Sequence, residues 1–154
     1  MLEQIFTITF FTAFFSATVR MAVPLAYAAL GEVFLERAGI LNIGMEGVML
    51  GGAFFSFAGA FYSNNLFIGL ICGMLGGCVV SLIHGFLCIK LSQNQSVSGI
   101  ALNIFMLGVT SFGYRLMSEG QSYQQIEPFA TIKIPLLGDI PLIGDALFNQ
   151  DILT

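Results

Sequence analysis

The chain has 154 residues, 56% of them hydrophobic and 9% charged, with a net charge of −4 and a mean hydropathy of +0.89. So apolar a composition cannot cover a soluble globule of this size with polar surface. The few scattered Lys and Arg leave no basic patch for nucleic acid and no polybasic tag, so the expected setting is within a bilayer, with room for about four or five passes of roughly 20 residues each.

Met1-Leu2-Glu3-Gln4 is acidic, and no small-residue cleavage site closes a short apolar core, so the first helix is expected to be retained, not removed as a signal peptide. From about Ile5 to Leu30 an apolar run is interrupted by Arg20 and Pro24. Two readings stay open: a single tilted span, or a helix to about Val19 followed by a Pro-started segment reaching Phe34. Arg20 either snorkels to the interface or meets Glu32, Glu36 or Glu46.

Glu36-Arg37-Ala38-Gly39-Ile40-Leu41-Asn42-Ile43-Gly44-Met45-Glu46-Gly47 then places ionisable groups, an Asn and three glycines between hydrophobic segments. Irregular backbone at membrane depth is tolerated only inside protein or along a water-filled cavity, and its free N–H groups can serve a polar solute. On that reading Gly39, Gly44 and Gly47 mark a helix break, with Asn42 and Glu46 as its polar contacts. The alternative is an interfacial loop in which Glu36 pairs with Arg37 and Asn42 caps the next helix.

The following segment, about Val48 to Tyr62, ends at the turn signal Ser63-Asn64-Asn65. Leu66 to Leu87 is the cleanest span. Gly69, Gly73, Gly77, Ser81 and Gly85 recur every four residues along it, a small-residue stripe for close helix packing, with a weaker counterpart at Gly44, Gly52, Ser56 and Ala60. Cys72, Cys78 and Cys88 read as small apolar fillers. His84 stands alone with no ligand set for a metal and is expected to bond a neighbouring helix.

After the linker Lys90 to Ser96 a further span covers about Val97 to Met117, with Asn94, Gln95, Ser98 and Asn103 able to share one side. These four either line a path or serve as linker and interhelical hydrogen bonds. From Ser118 to Asp151 the chain turns loop-like, with a near-duplicate, Ile134 to Asp139 and Ile140 to Asp145, read as two turns at a membrane surface. Lys90 places the 88–96 linker in the cytoplasm, which puts the 118–151 loop and Ser63 to Asn65 outside, and the 36–47 cluster on the cytoplasmic side or partly within the bilayer. The expected architecture is all-α, one polytopic transmembrane helix bundle over 1–154.

No phosphate-binding GxxxxGK[ST] loop, GxSxG elbow or HExxH pair is present, so neither nucleotide hydrolysis nor intramembrane hydrolysis has visible machinery, and no cofactor or metal is expected. Transport by partnership fits better than catalysis.

Several stretches resemble the membrane permeases of bacterial ABC importers for nucleosides and simple sugars: Arg20-Met21-Ala22-Val23-Pro24-Leu25, Ala29-Leu30-Gly31-Glu32, Glu36 to Leu50, Asn94 to Asn103 and the Ile-Pro-Leu loop. The resemblance implies a partial ABC-permease fold in a multi-pass protein of the bacterial plasma (inner) membrane, surrounded by lipid. It also implies a second permease, a separate ABC ATPase and an extracytoplasmic solute-binding lipoprotein as partners, with a small-molecule solute moving between the permeases. Such permeases are longer than this sequence by a second half, so the expectation is a truncated sequence, a split gene or a fragment that does not couple ATP to transport alone. A membrane scaffold or assembly subunit, or a passive channel component, is the reading from a different class.

Overall fold

The computed structural model describes residues 8–119, 131–133 and 149–151. Four helices follow in order: α1 (Ile8–Arg37), α2 (Met45–Ser63), α3 (Leu66–Gly85), which runs on as a π-helical turn over Phe86–Lys90, and α4 (Gln95–Ser118). Three of these stretches, Phe10–Arg37, Leu66–Lys90 and Gln95–Ser118, are long and apolar enough to cross a membrane. At 19 residues α2 rises about 28 Å, close to the thickness of a hydrocarbon core, but carries Glu46 in its first turn. Residues 8–119 form the expected all-α bundle.

Beyond α4, Thr131–Lys133 (β1) pairs antiparallel with Asn149–Asp151 (β2), Ile132 opposite Gln150, within the stretch expected to be loop. The repeated hexapeptides and the first residues of the chain lie outside the described residues. The chain divides into two compact units, one of Leu30–Glu127 and one in which Met1–Ala29 groups with Pro128–Thr154.

Of the two readings of the first apolar run, the single helix is the observed one. It passes through Pro24 and continues to Arg37, taking in Glu36 and Arg37, which the sequence places in the polar cluster. Proline removes one backbone donor, but membrane helices tolerate this where neighbouring groups take up the freed carbonyl. Arg37 in the last turn meets the negative end of the helix dipole, a favourable place for a cation. The helix stops at Gly39, whose φ of +82° few other residues adopt, with Gly39 N–H donating to Glu36 O at 2.9 Å and Ile40 N–H to Leu35 O at 3.0 Å. This closure satisfies carbonyls that a helix end otherwise leaves open.

The Ser63-Asn64-Asn65 turn is built from the same chemistry. Asn64 takes the left-handed conformation (φ 52°), and the Asn65 side chain caps α3 by accepting from Phe67 N–H at 2.9 Å.

Large apolar side chains point outward along every helix, and the buried apolar residues among those described are few: Ala60, Val80, Leu102 and Met106. Lipid is as apolar as leucine, so close backbone approach rather than hydrophobic exclusion holds such helices together. Helix α2 has two small faces. Gly52, Ser56, Gly59 and Ala60 meet α3: a Cβ on Gly69 would lie 2.8 Å from Ala60 Cβ and 2.9 Å from Ser56 O, and one on Gly73 would lie 3.1 Å from Gly52 O. Gly76, outside the four-residue stripe, lies against the Phe55 side chain. Further along, a Cβ on Gly77 would reach only Val48 at 3.9 Å, and one on Gly85 would meet nothing within 4 Å. A four-residue step turns about 40° beyond a full helical turn, so the stripe has rotated off α2 before Gly85. Accordingly, Gly69→Ala should cost about 1 to 3 kcal/mol by overpacking, whereas Gly85→Ala should be neutral or gain up to about 1 kcal/mol of helix propensity. Unfolding of the two variants side by side in detergent, followed by circular dichroism, checks the contrast.

Candidate functional site

The second face of α2 carries Gly44, Gly47 and Gly51, spaced three and four residues apart and turned toward α4. A Cβ on Gly99 of α4 would sit 2.7 Å from Gly44 N and 3.1 Å from the Ile43 carbonyl carbon, so the loop backbone rests on the bare Cα of Gly99. One turn on, a Cβ on Gly47 would meet Asn103 Oδ1 at 3.0 Å and Leu102 O at 3.1 Å. Below it, the space at Gly51 is filled by Val80 Cγ2 and Met106 Cε, part of the small core of Val80, Leu102 and Met106, with Val48 against it.

The segment between α1 and α2 is short and irregular, and its polar backbone atoms are met by side chains from two other places in the fold. Glu32, in the penultimate turn of α1, accepts Asn42 N–H at 2.8 Å. Gln95, at the start of α4, accepts Leu41 N–H at 2.7 Å and donates to Gly39 O at 3.4 Å. Asn103, two turns along α4, accepts Gly47 N–H at 2.7 Å and donates to Ile43 O at 3.1 Å. Gln95, Gly99 and Asn103 lie four residues apart on one helix face, side chain, gap, side chain, and the loop lies across them.

The sequence expectations can now be placed. Asn42 is buried but does not cap α2, since Gly44 holds the cap position without a side-chain bond and the first-turn donor of Gly47 is met by Asn103. Glu46 is exposed in the first turn of α2, where the helix dipole favours an acid, and makes no hydrogen bond with the described residues. Asn94 lies apart from the break as the cap of α4, accepting from Ser96 N–H at 3.0 Å and Val97 N–H at 3.2 Å.

Ser98 accompanies Cys88 instead, at 3.3 Å, and Cys88 lies 3.6 Å from Nε2 of the buried His84 on its own helix. His84 therefore reaches α4 through a thiol, and Cys88 is more than a filler. Among the described residues no three His, Cys, Asp or Glu side chains gather at metal distance.

Glu32 and Gln95 are the contributors that sequence reasoning did not assign to the break. The four-residue spacing of Gln95, Gly99 and Asn103 was the available signal for one of them. For Glu32 there was none, because its partner is a backbone N–H. Ser81 and Gly85 line a separate, largely apolar groove of about 990 Å³ with Leu35, Ile40, Leu82, Phe86 and Lys90.

A bundle with three spans of membrane-crossing length and a clamped helix break defines a polytopic membrane protein. Residues 14–137 match the family described as the branched-chain amino acid transport system permease component, and the chain belongs to that family. It is 41% identical over 141 residues to the guanosine ABC transporter permease NupQ of Bacillus subtilis, covering 87% of this chain and 44% of the relative. It is 36% identical to a putative glucose ABC transporter permease, TsgC13, of Haloferax volcanii (92% and 43% covered), and 33% identical to the nucleoside ABC transporter permease NupC of Lactococcus lactis (82% and 42%). The chain thus spans less than half the length of these relatives. No solved structure matches it significantly.

Proposed function

We propose that the chain forms part of the permease subunit of an ABC importer for nucleosides or simple sugars in the bacterial plasma membrane. A second permease would complete the solute path, an extracytoplasmic lipoprotein would deliver the solute, and a separate ATPase would supply the energy, so the chain itself is not an enzyme. The observation that carries this reading is the similarity to permeases named for guanosine, nucleosides and glucose over more than four fifths of the chain. The clamped segment between α1 and α2 is consistent with it, its backbone groups being met by side chains from α1 and α4.

Asn103 and Gln95 spend their hydrogen bonds on the loop, and Asn94 spends its own on a helix end. They shape the break. Glu46, exposed and making no hydrogen bond with the described residues, is on this reading the candidate to meet a solute or the second permease.

The test is uptake of labelled guanosine and glucose by cells expressing the complete transporter, with and without Glu46→Ala. A lost charged hydrogen bond of about 1.5 kcal/mol corresponds to roughly tenfold less uptake at normal membrane insertion. Uptake unchanged by Glu46→Ala would give Glu46 a purely structural role. Absence of any ATP-dependent uptake in the assembled system would favour a scaffold, and flux persisting without the ATPase a passive channel.

A further inference from the structure

Past Gly77 the small face of α3 has turned away from α2, and the groove of about 990 Å³ opens there. Leu35 and Ile40, from the end of α1 and the turn after it, form one wall; α3 and its π-helical turn form the other. The volume lies at the upper end of the roughly 300 to 1,000 Å³ of small-molecule sites. Leu82, Phe86 and Ile89 along it are all well exposed, so no part of the described chain closes over them. Lys90 is the one charged side chain in the lining, and its ammonium makes no ion pair among the described residues. Glu36 and Arg37, next to Leu35 on α1, are exposed and opposite in sign, so they add no net charge to that wall.

The π-helical turn brings the cation to the groove. Leu91 N–H donates to Phe86 O, five residues back, at 3.2 Å, and the wider turn carries Lys90 round toward the line of Ser81 and Gly85. The apolar floor thus ends at a lysine. The stretch Leu66–Lys90 has 25 residues, about 37 Å of helix against a hydrocarbon core of roughly 30 Å, and Lys90 is its last residue. An end residue of so long a span reaches the headgroup level, while the groove behind it lies among acyl chains. An occupant that matches is apolar along its length and negative at one end, with the charge at headgroup level. An anionic phospholipid has this form, and basic side chains beside membrane helices hold such headgroups. A helix of another protein would match the walls, but nothing in them requires it to carry an acid at the one level where every anionic lipid does.

We propose that the groove between α3 and the end of α1 seats an anionic phospholipid, with an acyl chain along Ser81, Leu82, Gly85 and Phe86 and the headgroup phosphate at Lys90. The site does not depend on the solute carried, and its test uses neither solute nor ATPase. The chain contains no tryptophan, so a single introduced one reports only its own surroundings. The whole chain carrying Leu82→Trp is reconstituted in vesicles of phosphatidylcholine and phosphatidylglycerol, one lipid or the other bearing bromine on its acyl chains, which quenches tryptophan fluorescence on contact. Ile104→Trp, at an exposed position of α4 outside the groove, reports the bulk lipid.

The expected result is a preference of about fivefold for phosphatidylglycerol over phosphatidylcholine at the Leu82→Trp reporter, the size of one lysine's attraction to an anionic headgroup, and none at Ile104→Trp. Lys90→Gln should abolish the preference. Gly85→Leu keeps the charge but fills the floor and should abolish it too, which separates a seated lipid from diffuse attraction to a lysine. Equal quenching by the two lipids at Leu82→Trp, or a preference retained in Lys90→Gln or in Gly85→Leu, would overturn the proposal. Quenching by neither lipid would overturn it in favour of a protein cover, a second copy of the chain or another subunit. Should Leu82→Trp fail to fold, Ile89→Trp in the same groove gives the same readout, with the same results deciding.

Discussion

Gly99→Ala is expected to destabilise the fold by about 2 kcal/mol, although alanine is the better helix former. Helix propensity alone would favour the change by about 1 kcal/mol. Against this, the new methyl would lie 2.7 Å from Gly44 N and 3.1 Å from the Ile43 carbonyl carbon, both backbone atoms of a segment pinned on either side by Gln95 and Asn103. A side chain in that position could swing away; a clamped main chain cannot, and overpacking of this kind costs up to about 3 kcal/mol. The measurement is the unfolding midpoint in detergent beside Gly108→Ala on the same helix, where a Cβ would meet nothing within 4 Å. A Gly99→Ala protein as stable as the Gly108→Ala control would remove the close contact between α4 and the loop from this account.

Asn103→Leu should cost about 2 to 3 kcal/mol, the penalty for leaving a buried donor unmet. That donor is Gly47 N–H, because Gly47 is buried while Ile43, whose carbonyl is the other partner, is exposed. Asn103→Asp keeps an acceptor for Gly47 N–H and puts a negative charge where the dipole of α2 welcomes it. The predicted order of stability is therefore Asn, then Asp, then Leu. Equal losses for Asp and Leu would show that capping of α2 is not what Asn103 provides. On the proposed transport function, uptake by the complete transporter should fall in the same order, as expected of a side chain whose hydrogen bonds go to the loop.

The elements were legible where the chain writes local rules. Three spans follow from hydropathy, and Ser63-Asn64-Asn65 announces its turn because Asn tolerates the left-handed conformation and caps helices. The position of the break followed from Gly39 and Gly44. Its extent did not. Glu36 and Arg37 look like part of a polar loop by composition, yet α1 carries them as its last turn, where a cation suits the helix end. The clamp was only half visible, since Leu41 meets Gln95 and Gly47 meets Asn103 across 54 and 56 positions, and no periodicity within one segment encodes such pairings. Gly76 escaped for a geometric reason: the three-residue step from Gly73 keeps it over α2, whereas a strict four-residue stripe walks away.

The segment from Ala38 to Gly44 owes its shape to supports that stand on different helices. Glu32 holds it from α1, while Gln95 and Asn103 hold it from α4. Its form is thus a function of the spacing between those two helices, as the sag of a cable is a function of the distance between its posts. A rigid-body displacement of α4 against the end of α1 has no means of leaving the segment unchanged: either the hydrogen bonds part or the backbone between them is redrawn. The motif translates relative helix position into local backbone geometry, and it does so with no mobile part of its own.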